Sequence, residues 1–302
     1  MQQMQNIPKV PMCAESVLVA NNTTQEMTAY KSLGLFYVAA NSLLLAGQLL
    51  NSTWSLEQFL LLQWCGFTGV FMIYRFNDII DHSENFRFNL RRVLSSRIHV
   101  LCLLQFFLIT TPAILLLLSE LRIVLLYSTC FLGLLYSVNV RIKSKNYRLK
   151  HLFLVKNLLI GTLWGGMILI GANALVGELV IALFVFTSLQ VMIGSIIRDL
   201  PDTEADRKDG VRTLPVVLGI PRSIIAIHVF NLVSLAAGWF LFPDSNFLLL
   251  MILVVGWRAF VVVKLAHNPK APLYSNTFNL LTCFLIFMIL FIQHSNGLYP
   301  TH

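Results

Sequence analysis

Polar positions in this chain are scarce and clustered, and between them lie long apolar runs with no helical or strand periodicity. Nine such segments are legible: Ser32 to Leu50, Leu56 to Tyr74, Ile98 to Leu118, Ile123 to Val140, Leu152 to Ala172, Leu179 to Ile197, Ser223 to Phe242, Phe247 to Leu265 and Phe278 to His294. A run of about 20 apolar residues at ~1.5 Å per residue crosses a ~30 Å hydrocarbon layer. Only closed hydrogen-bonding structures survive there, so runs of this length predict helices. The pattern therefore predicts an all-α, multi-pass bundle of nine transmembrane helices over residues 31–302. Residues 1–30, mixed and polar, form an N-terminal arm without the basic-then-apolar layout of a secretory signal. Ser119, Glu120, Leu121 and Arg122 form a tight turn between the third and fourth segments.

Composition supports this reading. The 302 residues are 57% hydrophobic and 12% charged, about half the charge of a soluble chain. The five cysteines are scattered through apolar runs without CxxC spacing, so they build neither a disulfide framework nor a metal site.

Charge placement gives a topology. Of the 22 Lys and Arg, 21 belong to the N-terminal arm or to the surroundings of alternate loops, Arg258 and Lys264 among them, and Arg122 alone belongs to the opposite side. The positive-inside rule then puts the N-terminus and these loops in the cytoplasm, and the C-terminus on the far side. The same placement explains the net charge of +8 without nucleic acid.

The acids carry the chemistry. Eight of 14 fall in two short stretches, Asn77 to Asn85 and Asp199 to Asp209, at the ends of the second and sixth segments and on one membrane face. Asn77 and Asp81 are spaced i, i+4, as are Asp202 and Asp206, and Asp199 and Asp209 extend the second row, so a helix presents each set on one side. Two charges ~5 Å apart at an effective dielectric of ~20 repel by roughly 3 kcal/mol, so facing carboxylates need a bridging cation. Oxygen-only ligands suit Mg²⁺, which takes one or two carboxylates and completes its shell with water and phosphate. Lys143 and Lys156 are basic residues near these acids; Lys156 lies one turn inside an apolar segment. Such groups suit a diphosphate, although a positive-inside loop also explains them.

At these residues the chain resembles the UbiA superfamily of intramembrane prenyltransferases. Asn77, Asp78 and Asp81 match the family's N-D-x-x-D-x-x-x-D, with Asn85 in place of the last Asp; Asp202 and Asp206 match D-x-x-x-D. The run from Asp199 through Gly210, Arg212, Thr213, Leu214 and Pro215 resembles the homogentisate, chlorophyll and archaeal-lipid branches, and Tyr136-Ser137 resembles the family's L-Y-S. The resemblance implies a central cavity opening toward lipid and capped by cytoplasmic loops. It implies Mg²⁺ held by Asn77, Asp81, Asp202 and Asp206, with Asp81, Asp202 and Asp206 catalytic. Lys143, Lys156, Arg212 and Tyr136 would contact an isoprenyl diphosphate, and Tyr136 and Trp164 would shield the carbocation. The prenyl group would pass to an aromatic or lipid-soluble acceptor. Two rival readings stay open. Asn85 and the run Arg92 to Ile98, which keeps only part of the family's R-P-x-x-S-G-R-I, fit a weakened member acting as a membrane scaffold. A small-solute transporter fits less well, because its ionisable residues belong at mid-membrane. A CDP-alcohol phosphotransferase is excluded by the missing D-G-x-x-A-R run.

Overall fold

A computed structural model describes residues 36–51, 55–81, 94–95, 97–138, 140–142, 145–147 and 152–267; for Asp78 and Asp81 it describes the backbone alone. Helix α1 spans Phe36–Leu49 and α2 Leu56–Asp81. Helix α3 runs Arg97–Leu104, passes through a π-helical turn at Gln105–Thr110 and continues as Thr111–Leu117. Pro112 has no N–H to return to the preceding turn, and the Thr111 N–H reaches back to the Phe106 carbonyl instead. Then come α4 (Glu120–Ser137), α5 (Val155–Ala172), α6 (Glu178–Asp199), the short helices α7 (Thr203–Lys208) and α8 (Leu214–Leu218), α9 (Ile220–Leu241) and α10 (Ser245–His267). Seven helices are long and apolar enough to cross a membrane, and α1 is a shorter apolar helix. Eight of the nine expected segments thus correspond to helices; Phe278 to His294 and the 1–30 arm lie outside the described residues.

The all-α expectation holds for the bundle, and one loop adds a small hairpin to it. A two-stranded antiparallel hairpin, β1 (Val140–Ile142) and β2 (Lys145–Tyr147), lies between α4 and α5, with Val140 opposite Tyr147 and Ile142 opposite Lys145. The polar loop residues leave the apolar layer here, and two short extended runs satisfy each other's backbone groups.

Two cations counted with the loops are also placed differently. Ser119 caps α4 by accepting from the Arg122 backbone N–H at 3.4 Å, so the expected turn is the helix's first turn. The Arg122 guanidinium is buried, donating to the carbonyls of Ile170 (3.1 Å) and Gly171 (2.8 Å) and to Gln58 Oε1 (3.1 Å). It thereby satisfies carbonyls at the end of α5 that have no partner within the helix. Arg258 is buried within α10, where it donates to the Gln190 carbonyl (2.9 Å) and side chain (3.4 Å). Gln190 in turn donates to Asn231 (2.9 Å) and Ser234 (2.7 Å), tying α6, α9 and α10 together.

Small residues set the tightest approaches. A Cβ on Gly47 or Gly171 would strike the other helix's backbone between α1 and α5; one on Gly161 would strike the Ser188 carbonyl, and one on Gly165 the Ser188 hydroxyl. Gly161 and Gly165, four residues apart, therefore let α5 and α6 meet backbone to backbone.

Candidate active site

Close contact of α5 and α6 brings the start of one helix against the end of the other. Lys156, in the first turn of α5, pairs with Asp199, the last residue of α6, at 2.6 Å (Nζ to Oδ1). Asn157 Nδ2 donates to the other Asp199 oxygen (3.2 Å) and to Ser195 Oγ (3.1 Å). Each charge sits at the unfavourable end of its own helix dipole and beside the favourable end of its neighbour's, which favours the pair across the helices. The entry to α5 is strained to make this possible: Leu154 is left-handed (φ 58°), and the Val155 N–H closes a tight turn onto the Phe153 carbonyl at 2.7 Å.

Beyond Asp199 the helix does not continue straight. Thr203 Oγ1 donates to the Leu200 carbonyl (2.7 Å), and α7 starts afresh at Asp202. Asp206 is one turn on, its N–H on the Asp202 carbonyl at 2.8 Å, and Gly210 (φ 70°) ends the turn in a conformation that suits glycine. The acid row read as one face is thus divided between α6 and α7. Partial burial, then the Asp206 carboxylate, push the Asp202 carboxyl above its ordinary range, while Lys156 pulls the other way.

These residues close one end of a cavity of about 290 Å³ walled by α2, α4, α5 and α6. Its polar end presents Asn77, Ser137, Lys156, Arg198, Asp199 and Asp202; its other walls are apolar, with Ile73, Gly133, Leu163, Trp164 and Met167 among them. Ser137 Oγ donates to Asn77 Oδ1 at 2.9 Å, which orients the amide. Tyr74 lines the wall and stacks on Phe36 (centroids 4.4 Å apart, planes at 14°), and Phe36 also meets Trp164 at 6.1 Å. The Arg198 guanidinium carbon lies 5.8 Å from the Phe36 ring centroid.

Of the residues singled out in the sequence, Asn77, Tyr136, Lys156, Trp164 and Asp202 line the cavity. Asp206 acts electrostatically on Asp202 from the next turn. Arg212 is exposed ahead of α8 and is not among the lining residues. Lys143, Asn85 and the Asp81 side chain lie outside the described residues; α2 does persist as a helix to Asp81. Sequence reasoning did not single out Asp199 as Lys156's partner, nor Arg198, Asn157 and Ser195. A signal was available: an acid closing one apolar run and a base opening its neighbour complement each other across an antiparallel hairpin.

Among the described residues no three His, Cys, Asp or Glu side chains converge as a ready-made metal cage. The oxygen donors Asn77 and Asp202, from different helices and with Asp206 close by, nevertheless fit Mg²⁺, which needs few protein ligands when a phosphate supplies the rest.

The UbiA prenyltransferase family model matches residues 33–285. A digeranylgeranylglyceryl phosphate synthase of Natronomonas pharaonis is 35% identical over 86 residues, 28% of this chain and 31% of that protein. One from Haloquadratum walsbyi is 37% identical over 70 residues, 22% of this chain and 24% of that protein. The matches thus span a third or less of those relatives. In structure, a UbiA homolog from Archaeoglobus fulgidus bound to DMAPP and Mg²⁺ superposes with a TM-score of 0.64 at 14% identity, covering 88% of this chain and 97% of that one. The apo structure of a UbiA homolog from Aeropyrum pernix gives 0.61 at 18% identity, over 85% and 98%.

Proposed function

We propose, for a chain that belongs to the UbiA prenyltransferase family, that it moves an isoprenyl group from an isoprenyl diphosphate to a lipid-soluble acceptor. One observation carries the reading: a single cavity with a charged end, at Lys156, Asp199 and Asp202, and an apolar, aromatic remainder. That polarity matches an allylic diphosphate, with a charged head and a hydrocarbon tail.

The division of labour follows from the walls. The head lies at the charged end, where Lys156 offsets its negative charge and Asp199 keeps Lys156 in place. Asn77, Asp81, Asp202 and Asp206 would hold Mg²⁺, which would supply charge neutralisation to the departing diphosphate. The allylic C–O bond breaks with its electron pair leaving on the diphosphate oxygen. The carbocation left behind meets the rings of Trp164 and Tyr74, and a desolvated cation over such faces gains about 2 kcal/mol. The apolar wall excludes water, which would otherwise capture the cation. The acceptor nucleophile then forms the new bond to carbon and loses its proton. Tyr136, beside Ser137 in the wall, has an orienting role. Arg212, outside the cavity lining, is a peripheral cation that raises the local concentration of the diphosphate, and Lys143, in the sequence between α4 and α5, adds positive charge for the same anion. With Arg258 set aside in the bundle, twenty of the 22 basic residues belong to the N-terminal arm or to the surroundings of one set of alternate loops, which supports a cytoplasmic charged end and N-terminus.

The test is mass spectrometry of products formed by the reconstituted full chain. Isoprenyl diphosphates of several lengths are supplied, with an aromatic acceptor or, after the names of the archaeal relatives, a glyceryl phosphate acceptor. A prenylated product and Mg²⁺-dependent pyrophosphate release are expected. Neither product nor release, from folded protein with any donor, refutes the reading.

A further inference from the structure

Arg198 precedes Asp199 but faces a different way. Asp199 turns to α5; Arg198, about 100° further round α6, turns toward α1 and α2. Its guanidinium carbon is 5.8 Å from the Phe36 ring centroid, and it interacts with the Tyr74 hydroxyl. Phe36 is itself fixed by its stack on Tyr74. Arg198 is half-buried and lines the cavity. Among the described residues it meets these aromatic groups, the Arg258 charge lies within electrostatic reach, and no carboxylate forms an ion pair with it, whereas Lys156 has Asp199.

A half-buried cation that pairs with no carboxylate among the described residues is placed to receive an anion that enters the cavity. The way Arg198 is held sharpens this. A ring platform engages the face of a guanidinium, whereas its N–H donors lie in the plane and point outward from the edge. A ring contact of this kind uses no N–H donor, so the donors that Tyr74 does not engage are left to an oxyanion, for which two parallel N–H···O bonds are the preferred geometry. A lysine at the same place would lack the fork.

We propose that Arg198, positioned by Phe36 and Tyr74, is the cavity's oxyanion receptor and binds a phosphate or carboxylate group of a substrate. The inference rests on the transfer reading above and adds to it a residue and a supporting platform. The oxyanion has two possible sources, the diphosphate of the donor or an anionic group on the acceptor. Phe36 and Tyr74 are positioning residues in this scheme. Because Phe36 opens α1, the scheme also makes that short helix part of the binding machinery rather than a bystander.

The experiment is calorimetric titration of the reconstituted full chain, in Mg²⁺, with three probes: inorganic pyrophosphate, glycerol phosphate and benzoate. The variants are Arg198→Lys, Phe36→Leu and Phe36→Trp, with Arg222→Lys, exposed at the start of α9, as control. For at least one probe, Arg198→Lys is expected to weaken binding roughly tenfold or more. Phe36→Leu should weaken the same probe about two- to fivefold, and Phe36→Trp, which restores a ring face, should not. Loss confined to pyrophosphate assigns the receptor to the donor; loss confined to glycerol phosphate or benzoate assigns it to the acceptor. If Arg198→Lys fails to fold, the Leu and Trp variants at Phe36 carry the test alone. Wild-type affinity for every probe in folded Arg198→Lys, or in Phe36→Leu, overturns this inference and leaves the transfer reading standing. A wild-type chain that binds none of the three overturns both.

Discussion

Replacing Gly161 by Ala tests whether the α5–α6 contact builds the active site. The new Cβ would collide with the Ser188 carbonyl and lie 3.1 Å from Met192 Cβ and 3.2 Å from Met192 N. A backbone oxygen cannot swing aside as a side chain can. Relieving the collision to ordinary contact needs α5 and α6 to part by roughly 1 Å. Asn157 is one turn from Gly161, and the Lys156–Asp199 pair at 2.6 Å and the Asn157–Ser195 bond at 3.1 Å span the same gap. A shift of that size takes both beyond hydrogen-bonding distance. Overpacking of this kind costs about 1–3 kcal/mol of stability, and a ~1 Å displacement of catalytic groups costs on the order of a hundredfold in rate. The control is Gly166→Ala, whose Cβ would meet only Thr129 Oγ1, at 3.9 Å. The assay is kcat/KM for Mg²⁺-dependent pyrophosphate release, with a melting curve on each variant. Wild-type kcat/KM in Gly161→Ala, or an equal loss in Gly166→Ala, refutes the link between helix approach and site geometry.

Four further outcomes are expected. Asp202→Asn should raise the melting temperature of the metal-free protein at pH 7. The Asp202 carboxyl lies above its ordinary range in the fold, so its ionisation there opposes folding; the gain should vanish below about pH 4, where unfolded Asp is also protonated. The same variant should lose most of the stabilisation that Mg²⁺ plus an isoprenyl diphosphate gives the wild type, and equal stabilisation of both would remove Asp202 from the metal site. Arg122→Met should destabilise by roughly 2–3 kcal/mol in a thermal melt, since three acceptors lose their donor at a buried helix end. Cysteines at Val176 and Lys208 should react with impermeant reagents from opposite faces of sealed vesicles; labelling from one face would overturn the topology.

The bundle was legible because burial in lipid leaves so simple a mark: eight apolar runs correspond to eight helices, within a few residues except where polar residues prolong a helix. Arg75 to Asp81 continue α2 past the apolar run, which a hydropathy boundary does not register. The π turn near Pro112 and the hairpin at Val140 to Tyr147 are local accommodations with no periodic signature. Of the candidate site, Asn77, Lys156 and Asp202 were legible as residues that now line the cavity, while the side chains of the first acid group lie outside the described residues. The site's assembly was not legible, because pairing across helices depends on how closely they pack. Gly161 and Gly165 looked like neutral members of an apolar run until their neighbours on α6 were known. Arg122, Arg198 and Arg258 all counted as topology charges, yet one closes a helix end, one lines the cavity and one is buried in a polar network.

The network around Arg258 bears on how this chain is made. Helix α10 emerges with its arginine far from either end, and a lone helix that places such a residue near the bilayer centre loses about 2.5–3.5 kcal/mol of its tendency to insert. Its solvating groups are not its own. They belong to Gln190, 68 residues earlier, which Asn231 and Ser234 hold in turn. Stable integration of α10 therefore requires α6 and α9 to be already in the membrane and docked, so that this helix is received by a folded partner rather than by lipid. Damage to Gln190 would then appear during biosynthesis, as chains whose last described helix fails to enter, before any catalytic defect could be measured.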